Sequence, residues 1–560
     1  MCGIHFCFGE SKEHNAELLQ KRGPDKTNYQ YFKGAHCTFY RLAIVGLEHG
    51  DQPFQSDGRL TMANGEIYNH KLLNFQSRPV PGGSSEGLQL VNGEFYTLQS
   101  DCDIIHLLFR LGWSPAKICG VLDGEWAFVH FTGDEVFFAR DRLGRKPLYY
   151  LSDEMKRVLV VSSTIEGVTC YLKGHHTRKI VECLPGVLYF AKISEGKVTL
   201  GSVRYHDFLI STCAREVDDL VPDPFSYSDF YKLFVSAIVR RVNQSERPVG
   251  FLLSGGLDSS LVLSVALQWC KFKTPPLVFT FGFEEKAPDV LAAEKVVNYL
   301  RELYGPNCIE WHKVIGQVDD GLQTIPKVVT SIETYDITTV RASTPMFLIS
   351  KYIAEKTNVK VILSGEGSDE LFGGYLYFMY APSDTAFQAE ILKLLRELYQ
   401  FDVRRADRTT ATHGLEIRTP FLDDEFVQYF INHGMCGKNK KISKEFIRDV
   451  IIKCAPAILP EDIIQGKKEA FSDAVGYSWK DSIGEFAKKE LAKMNLVTPK
   501  GQSDEAFFYQ MVFEKQFGIP KEVVLSHYWL PNKDWIDTGN EPSARALGVY
   551  TQKIDDMSLI

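Results

Sequence analysis

From residue 1 to about 205 the chain consists of short runs rich in β-branched and aromatic residues, among them CTFYRLAIVG, EWAFVHFTG, EVFFARD, RVLVVSST and GVLYFAKI. Gly, Asp and Asn punctuate them, which predicts many strands joined by tight turns. DIIHLLFRLGW carries apolar residues at helical spacing, so a few helices are mixed with the sheet. From about residue 230 the pattern changes. VGFLLS is followed by SLVLSVALQWC, LVFTFGF by DVLAAEKVVNYLREL, and TPMFLISKYIAEK leads into VKVILS. Short apolar strands alternating with amphipathic helices predict a parallel sheet covered on both faces. Beyond residue 385, AFQAEILKLLRELYQF and later segments read as helical. The polar, proline-bearing STCAREVDDLVPDPFSYSD separates the textures, giving a domain over 2–205, a linker over 206–228 and a second domain over 229–560. SRPVPGGSSEG at 77–87 reads as a surface insertion.

Length alone, 560 residues, would allow three or four domains, and the two textures reduce that to two. With 44% apolar and 24% charged residues both domains can bury a core, which excludes disorder as the dominant state. The formal charge of −8 argues against a chain that grips nucleic-acid backbones, while leaving room for a local basic pocket. Twelve cysteines include no C-x-x-C pair, which fits neither a zinc ribbon nor a dense disulfide framework. MCGIHFCFGE lacks the pattern of a secretory leader, and no apolar run approaches the ~18 residues of a membrane span, so a reducing, cytoplasmic setting without membrane partners is expected.

Chemistry enters at Cys2. Removal of the initiator Met would set this thiol beside its own α-amino group, which titrates near pH 8 and can act as base for its own nucleophile. Taken alone, Cys2 reads first as a small buried hydrophobe. Its company changes that: Cys2-Gly3-Ile4, then Arg22-Gly23-Pro24-Asp25, Arg41 in RLAIVG, Asn64-Gly65-Glu66-Ile67-Tyr68-Asn69, and Ser100-Asp101-Cys102-Asp103. This set, in this order, resembles the glutaminase domain of class II glutamine amidotransferases. The resemblance implies that Cys2 attacks the glutamine side-chain amide, with Asn64 and Gly65 stabilising the oxyanion. It also implies that Arg41 pairs with the substrate α-carboxylate, that Asp101 holds its α-ammonium, and that Leu42, Ala43, Ile44, Val45 and Glu66 line the glutamine site. NGEIY can equally be an Asn-Gly hairpin turn. Lys21 stands where the family often has His before RGPD.

In the second domain the strand ending at Leu253 runs into Ser254-Gly255-Gly256-Leu257-Asp258-Ser259-Ser260 and then into a helix. A Gly- and Ser-rich turn at a helix start offers backbone N–H groups to an anion, and no Gly-Lys-Ser/Thr closes it as a Walker A loop would. SGGLDSS resembles the pyrophosphate loop of N-type ATP pyrophosphatases, which implies adenylation with release of pyrophosphate. A second strand delivers Ser364-Gly365-Glu366-Gly367-Ser368-Asp369-Glu370. Carboxylates beside a triphosphate call for a cation, so Mg²⁺ is expected with ATP, supported by Asp258 and Asp369.

With ETYDITTVRAS at 333–343, LDGEWAFV, HGLEIRTPFLD and SHYWLP added, the motifs span nearly the whole chain and closely resemble glutamine-hydrolysing asparagine synthetases. That family implies an N-terminal nucleophile αββα sandwich followed by a doubly wound parallel-sheet ATP-pyrophosphatase domain with a helical C-terminal portion. It implies that Leu253, Phe281, Ser364 and Gly365 contact adenylate, that SGGLDSS and Lys468 hold pyrophosphate, that Thr338 and Arg341 serve aspartate, and that Glu366 acts during intermediate formation or as a base. Lys467 can replace Lys468, because the run here is Gln465-Gly466-Lys467-Lys468. The expected partners are aspartate, glutamine and ATP, with an internal ammonia channel, and the family's habit of association implies a homodimer. A related amidotransferase acting on another carboxylate, or a non-catalytic family member, remains the alternative at this point.

Overall fold

The structure, a computed structural model, describes residues 1–10, 16–73, 88–89, 95–172, 179–194, 197–207, 225–434, 445–466, 478–519 and 527–536. The 77–87 insertion, Lys467, Lys468 and most of 206–228 lie outside the described residues. The chain forms two compact units. The first comprises Met1–Ile210 with two returning segments, Gln244–Pro248 and Ala411–Glu416; the second holds the rest.

The first unit contains strands β1 (Gly3–Phe8), β2 (Lys26–Phe32), β3 (Ala35–Arg41), β4 (Phe54–Ser56), β5 (Arg59–Ile67), β6 (Leu88–Gln89), β7 (Phe95–Tyr96), β8 (Gly124–Phe131), β9 (Glu135–Arg140), β10 (Tyr149–Asp153), β11 (Val158–Ser162), β12 (Ile180–Glu182), β13 (Val187–Ser194) and β14 (Lys197–Arg204). Two six-stranded sheets, ordered β12-β10-β11-β1-β3-β2 and β14-β13-β9-β8-β5-β4, face each other across a core that includes Ile4, Phe6, Phe39, Met62, Val129, Phe138 and Val161. Helices α1 (Glu17–Arg22) and α4 (Glu166–Thr169) pack on the first sheet. On the second lie α2 (Asp103–Arg110) and α3 (Pro115–Val121), over a core holding Ile104, Leu108, Trp126 and Phe128. The result is the four-layer αββα sandwich. Because the inner strands are covered on both faces, β1 and β8 are buried at every position, whereas edge strand β2 alternates and exposes Tyr29 and Tyr31.

The second unit carries β15 (Val249–Leu252), β16 (Leu277–Gly282), β17 (Glu310–Ile315), β18 (Val361–Leu363) and, from Ile417 on, β19 (Glu416–Arg418), ordered β17-β16-β15-β18-β19. β15 pairs in parallel with both β16 and β18, Phe251 lying opposite Leu363 in the latter register. Helices Leu257–Trp269, Pro288–Tyr304 and Ile337–Lys356 connect the strands. The chain winds outward through β16 and β17, then returns to the other side of β15 at β18. That reversal makes the carboxyl edge between β15 and β18 a topological switch point, where ligands of doubly wound sheets bind. Helices follow, among them Asp384–Glu397, Asp402–Ala411, Ser478–Lys493 and Asp504–Phe517, giving the helical C-terminal portion. Among the described residues no helix is long and apolar enough to cross a membrane.

Candidate active sites

In the first unit the start of β1 meets β5, and this brings Cys2 to Asn64. The Cys2 N–H donates to Asn64 Oδ1 at 2.9 Å, the thiol lies 3.6 Å from the Leu42 carbonyl, and Arg22 Nε donates to the Cys2 carbonyl at 3.0 Å. Asn64 is fully buried, and its Nδ2 meets no acceptor among the described residues. A buried donor left without a partner is unusual, and this one belongs to the amide whose oxygen holds the Cys2 N–H. At Gly65 φ is +131°, and a Cβ there would lie 1.8 Å from the Glu125 carbonyl oxygen, so only glycine fits. Burial pushes the Cys2 thiol up from its ordinary pKa, against the opposing pull of the nearby amino terminus and the Leu42 bond. The Met1 amino group, also buried and 3.9 Å from Glu416, is lowered to about 6, burial being the largest cause.

One pocket unites Cys2, Arg41, Leu42, Ile44, Val45, Gly65, Glu66 and Asp101. Arg41 is braced by Asp51 Oδ1 at 2.8 Å and donates to the Gly46 carbonyl at 2.5 Å. Ala43 is fixed from outside this wall, its N–H donating to Asp25 Oδ2 at 2.8 Å. Asp101 Oδ2 accepts the Ile67 N–H at 2.6 Å. The pocket thus offers one cation, Arg41, and three carboxylates, Glu66, Asp101 and Glu416, beside the Cys2 thiol, a set suited to the charged groups of an amino acid.

Sequence reasoning missed part of this wall. Gln244 donates to Glu66 Oε2, the Ile67 carbonyl and Asp101 Oδ2 at 3.3, 3.0 and 3.3 Å. Glu246 accepts the Gly46 N–H at 2.9 Å, Arg247 donates to the Ala43 carbonyl at 3.0 Å, and Glu416 lines the pocket. These residues come from two short segments distant in sequence, and neither carries a local motif that could have announced them.

In the second unit Leu253, Phe281, Ser364 and Gly365 all stand at the carboxyl ends of parallel strands. Leu253 is fixed by the Thr280 hydroxyl, which donates to its carbonyl at 2.7 Å, and the Phe281 ring is buried edge-on to Phe283. Within the first loop Ser254 N–H donates to Ser259 Oγ at 3.2 Å, and Gly256 N–H to Ser254 Oγ at 3.3 Å. Gly255 has φ +79°, and a Cβ there would lie 2.2 Å from the Ala293 nitrogen. The two loops touch: Ser368 Oγ donates to Asp258 Oδ1 at 2.7 Å, and a Cβ on Gly365 would approach the Ser259 nitrogen to 2.8 Å. Asp258 and Asp369 each occupy the first turn of a helix. Among the described residues no three His, Cys, Asp or Glu side chains form a ready metal cage. Two carboxylates completed by phosphate oxygens and water are nevertheless the donor set Mg²⁺ uses with nucleotides.

Glu366 is engaged by Arg405 at 2.5 Å, whose other terminal nitrogen meets Asp402 at 2.7 Å. Thr338 and Arg341 share the first turns of helix Ile337–Lys356, and Thr338 Oγ1 is buried without a hydrogen-bond partner among the described residues. The Arg341 guanidinium is gripped by Glu505 through Nε at 2.8 Å and Nη2 at 2.6 Å, both side chains being buried. A protein carboxylate therefore fills the fork expected to face a substrate carboxylate.

A thiol beside an unused amide donor and a doubly wound sheet with paired Gly/Ser loops describe a two-site amidotransferase architecture. The Glutamine amidotransferase domain family model matches residues 1–182, and the Asparagine synthase family model matches 229–390 and 380–522. The glutamine-hydrolysing asparagine synthetase of Mus musculus is 37% identical over 98% of this chain and 99% of its own length. That of Homo sapiens is 36% identical over 99% and 100%, and a probable one from Acanthamoeba polyphaga mimivirus 34% over 95% and 97%. The chain belongs to the asparagine synthase family.

Proposed function

We propose that this chain makes asparagine from aspartate, with glutamine as nitrogen donor and ATP as activator. The observation that carries the reading is Cys2 held against the buried, unused Asn64 amide in a pocket of mixed charge. Once Met1 is removed, the Cys2 nitrogen becomes a free amine beside its own thiol and can take the thiol proton. The sulfur attacks the glutamine side-chain carbonyl, and Asn64 Nδ2 with the Gly65 N–H receives the oxyanion. Ammonia leaves, and water releases glutamate from the thioester. Arg41 faces the substrate carboxylate; Asp101 and Glu66 face its ammonium.

In the second unit the aspartate β-carboxylate attacks the α-phosphorus of ATP, and pyrophosphate leaves. The loop Ser254 to Ser260, at the start of helix Leu257–Trp269, holds the pyrophosphate, together with Lys467 or Lys468. Asp258 and Asp369 would hold Mg²⁺, which neutralises phosphate charge when bound. Leu253, Phe281, Ser364 and Gly365 contact adenylate, Thr338 contacts aspartate, and Arg341 lends its positive charge to the aspartate carboxylate while Glu505 holds its Nε and Nη2. Ammonia then attacks the acyl-adenylate, Glu366 accepts the proton, and AMP leaves. We assign the glutaminase half to 2–205, the synthetase half to 229–560 and a linker to 206–228. Family membership also supports a cytoplasmic homodimer, which sedimentation of purified protein tests.

Product analysis tests the whole. Aspartate, ATP and glutamine should give asparagine, AMP and pyrophosphate, and Cys2→Ala should lose glutamine use while keeping synthesis from ammonium. Glutaminase activity without asparagine would overturn the reading.

A further inference from the structure

Segment Gln244–Pro248 belongs to the first unit, although the residues on either side of it in sequence, helix Tyr227–Asn243 and β15, belong to the second. Its contacts fall on the proposed glutamine wall. Glu246 and Arg247 grip the loop after Arg41 by its backbone: the Glu246 N–H donates to the Ile44 carbonyl at 3.1 Å, its carboxylate accepts the Gly46 N–H, and Arg247 donates to the Ala43 carbonyl. Gln244 addresses the other side. Its amide nitrogen faces Glu66 Oε2, Asp101 Oδ2 and the carbonyl of Ile67, whose own N–H donates to Asp101 Oδ2.

Two carboxylates sharing a buried wall repel each other unless donors hold them apart. A lysine or arginine here would hold them but cancel their charge. An amide donates to both without adding a charge of its own. Arg41, with its positive charge, lines the same pocket as Glu66, Asp101 and Glu416, so the site presents both signs of charge to an amino acid.

We propose that Gln244 is a positioning residue for glutamine recognition: its side-chain amide fixes Asp101 and Glu66 so that together they receive the α-ammonium group. This rests on the glutaminase reading above. Gln244 acts on the two carboxylates and not on the thiol, so its effect belongs in substrate affinity rather than in turnover.

Gln244→Met keeps the length and removes the donors. The expected result is a glutamine KM raised about tenfold, the worth of a hydrogen bond to a charged acceptor, with kcat for glutamine hydrolysis within about twofold of wild type. Glutaramate, which is glutamine without its α-ammonium, should show no such penalty in the same variant. A fall in kcat at unchanged KM, or an equal loss on glutamine and glutaramate, would overturn the proposal in favour of a structural role for Gln244. Glutamine hydrolysis surviving in Cys2→Ala would instead overturn the glutaminase reading itself, so the two failures are told apart.

Discussion

Asn64 makes two separable contributions, and Asn64→Ala removes both. Its Oδ1 accepts the Cys2 N–H at 2.9 Å, a neutral bond worth about 0.5–1.5 kcal/mol in holding the nucleophile. Its Nδ2 is buried with no acceptor among the described residues, so it has no ground-state bond there to lose. Removing it therefore falls on the transition state, where one oxyanion donor is worth about 2.7–4 kcal/mol, or about 10²–10³ in kcat. The sum predicts a loss of about 10³ in kcat/KM for glutamine, most of it in kcat. The assay is glutamate release under saturating glutamine, run beside ammonium-dependent asparagine formation in the same preparation. A kcat loss below about tenfold would refute the oxyanion role, because an amide that merely anchors Cys2 cannot be worth more than its 2.9 Å bond. An equal loss of ammonium-dependent synthesis would show general damage instead.

Three further outcomes follow from the same geometry. Gly255→Ala forces a Cβ to 2.2 Å from the Ala293 nitrogen at φ +79°, where an L-residue already carries about 1–2 kcal/mol of strain; pyrophosphate formation should fall below detection while glutaminase activity persists, and retained pyrophosphate release would count against the loop's role. Glu505→Leu leaves Arg341 buried without its bidentate partner and should destabilise the chain by about 3–5 kcal/mol, whereas Glu505→Leu combined with Arg341→Leu should be milder than the sum of those two singles in urea unfolding. His106, hydrogen-bonded to Ser56 and Thr61, is lowered to about 4 by burial first and then by Arg110 and Arg59. Below pH 6.5 the unfolded chain takes up a proton that the folded chain refuses. Stability present above 6.5 is therefore lost as pH falls toward 4, by about 3 kcal/mol for this group. His130 is lowered as well, so His106→Asn should flatten but not abolish the slope in urea midpoints between pH 7 and pH 5.

The sequence by itself determined whatever depends on neighbours along the chain. Alternating strand and helix patterns foretold the parallel sheet, because periodicity records which face of an element is buried. SGGLDSS and SGEGSDE announced themselves because a loop leaving a strand into a helix needs small residues in a row, and Cys2, Asn64 and Asp101 stood in motifs of their own. Tertiary structure alone decided what meets across long separations. It placed Gln244 on Asp101 and Glu66, set Glu416 in the Cys2 pocket, and gave Arg341 to Glu505 and Glu366 to Arg405. No local pattern specifies such partners: a Gln or a Glu on a loop or helix reads as a solvated surface residue until the packing of distant elements closes around it and removes the water it would otherwise bind.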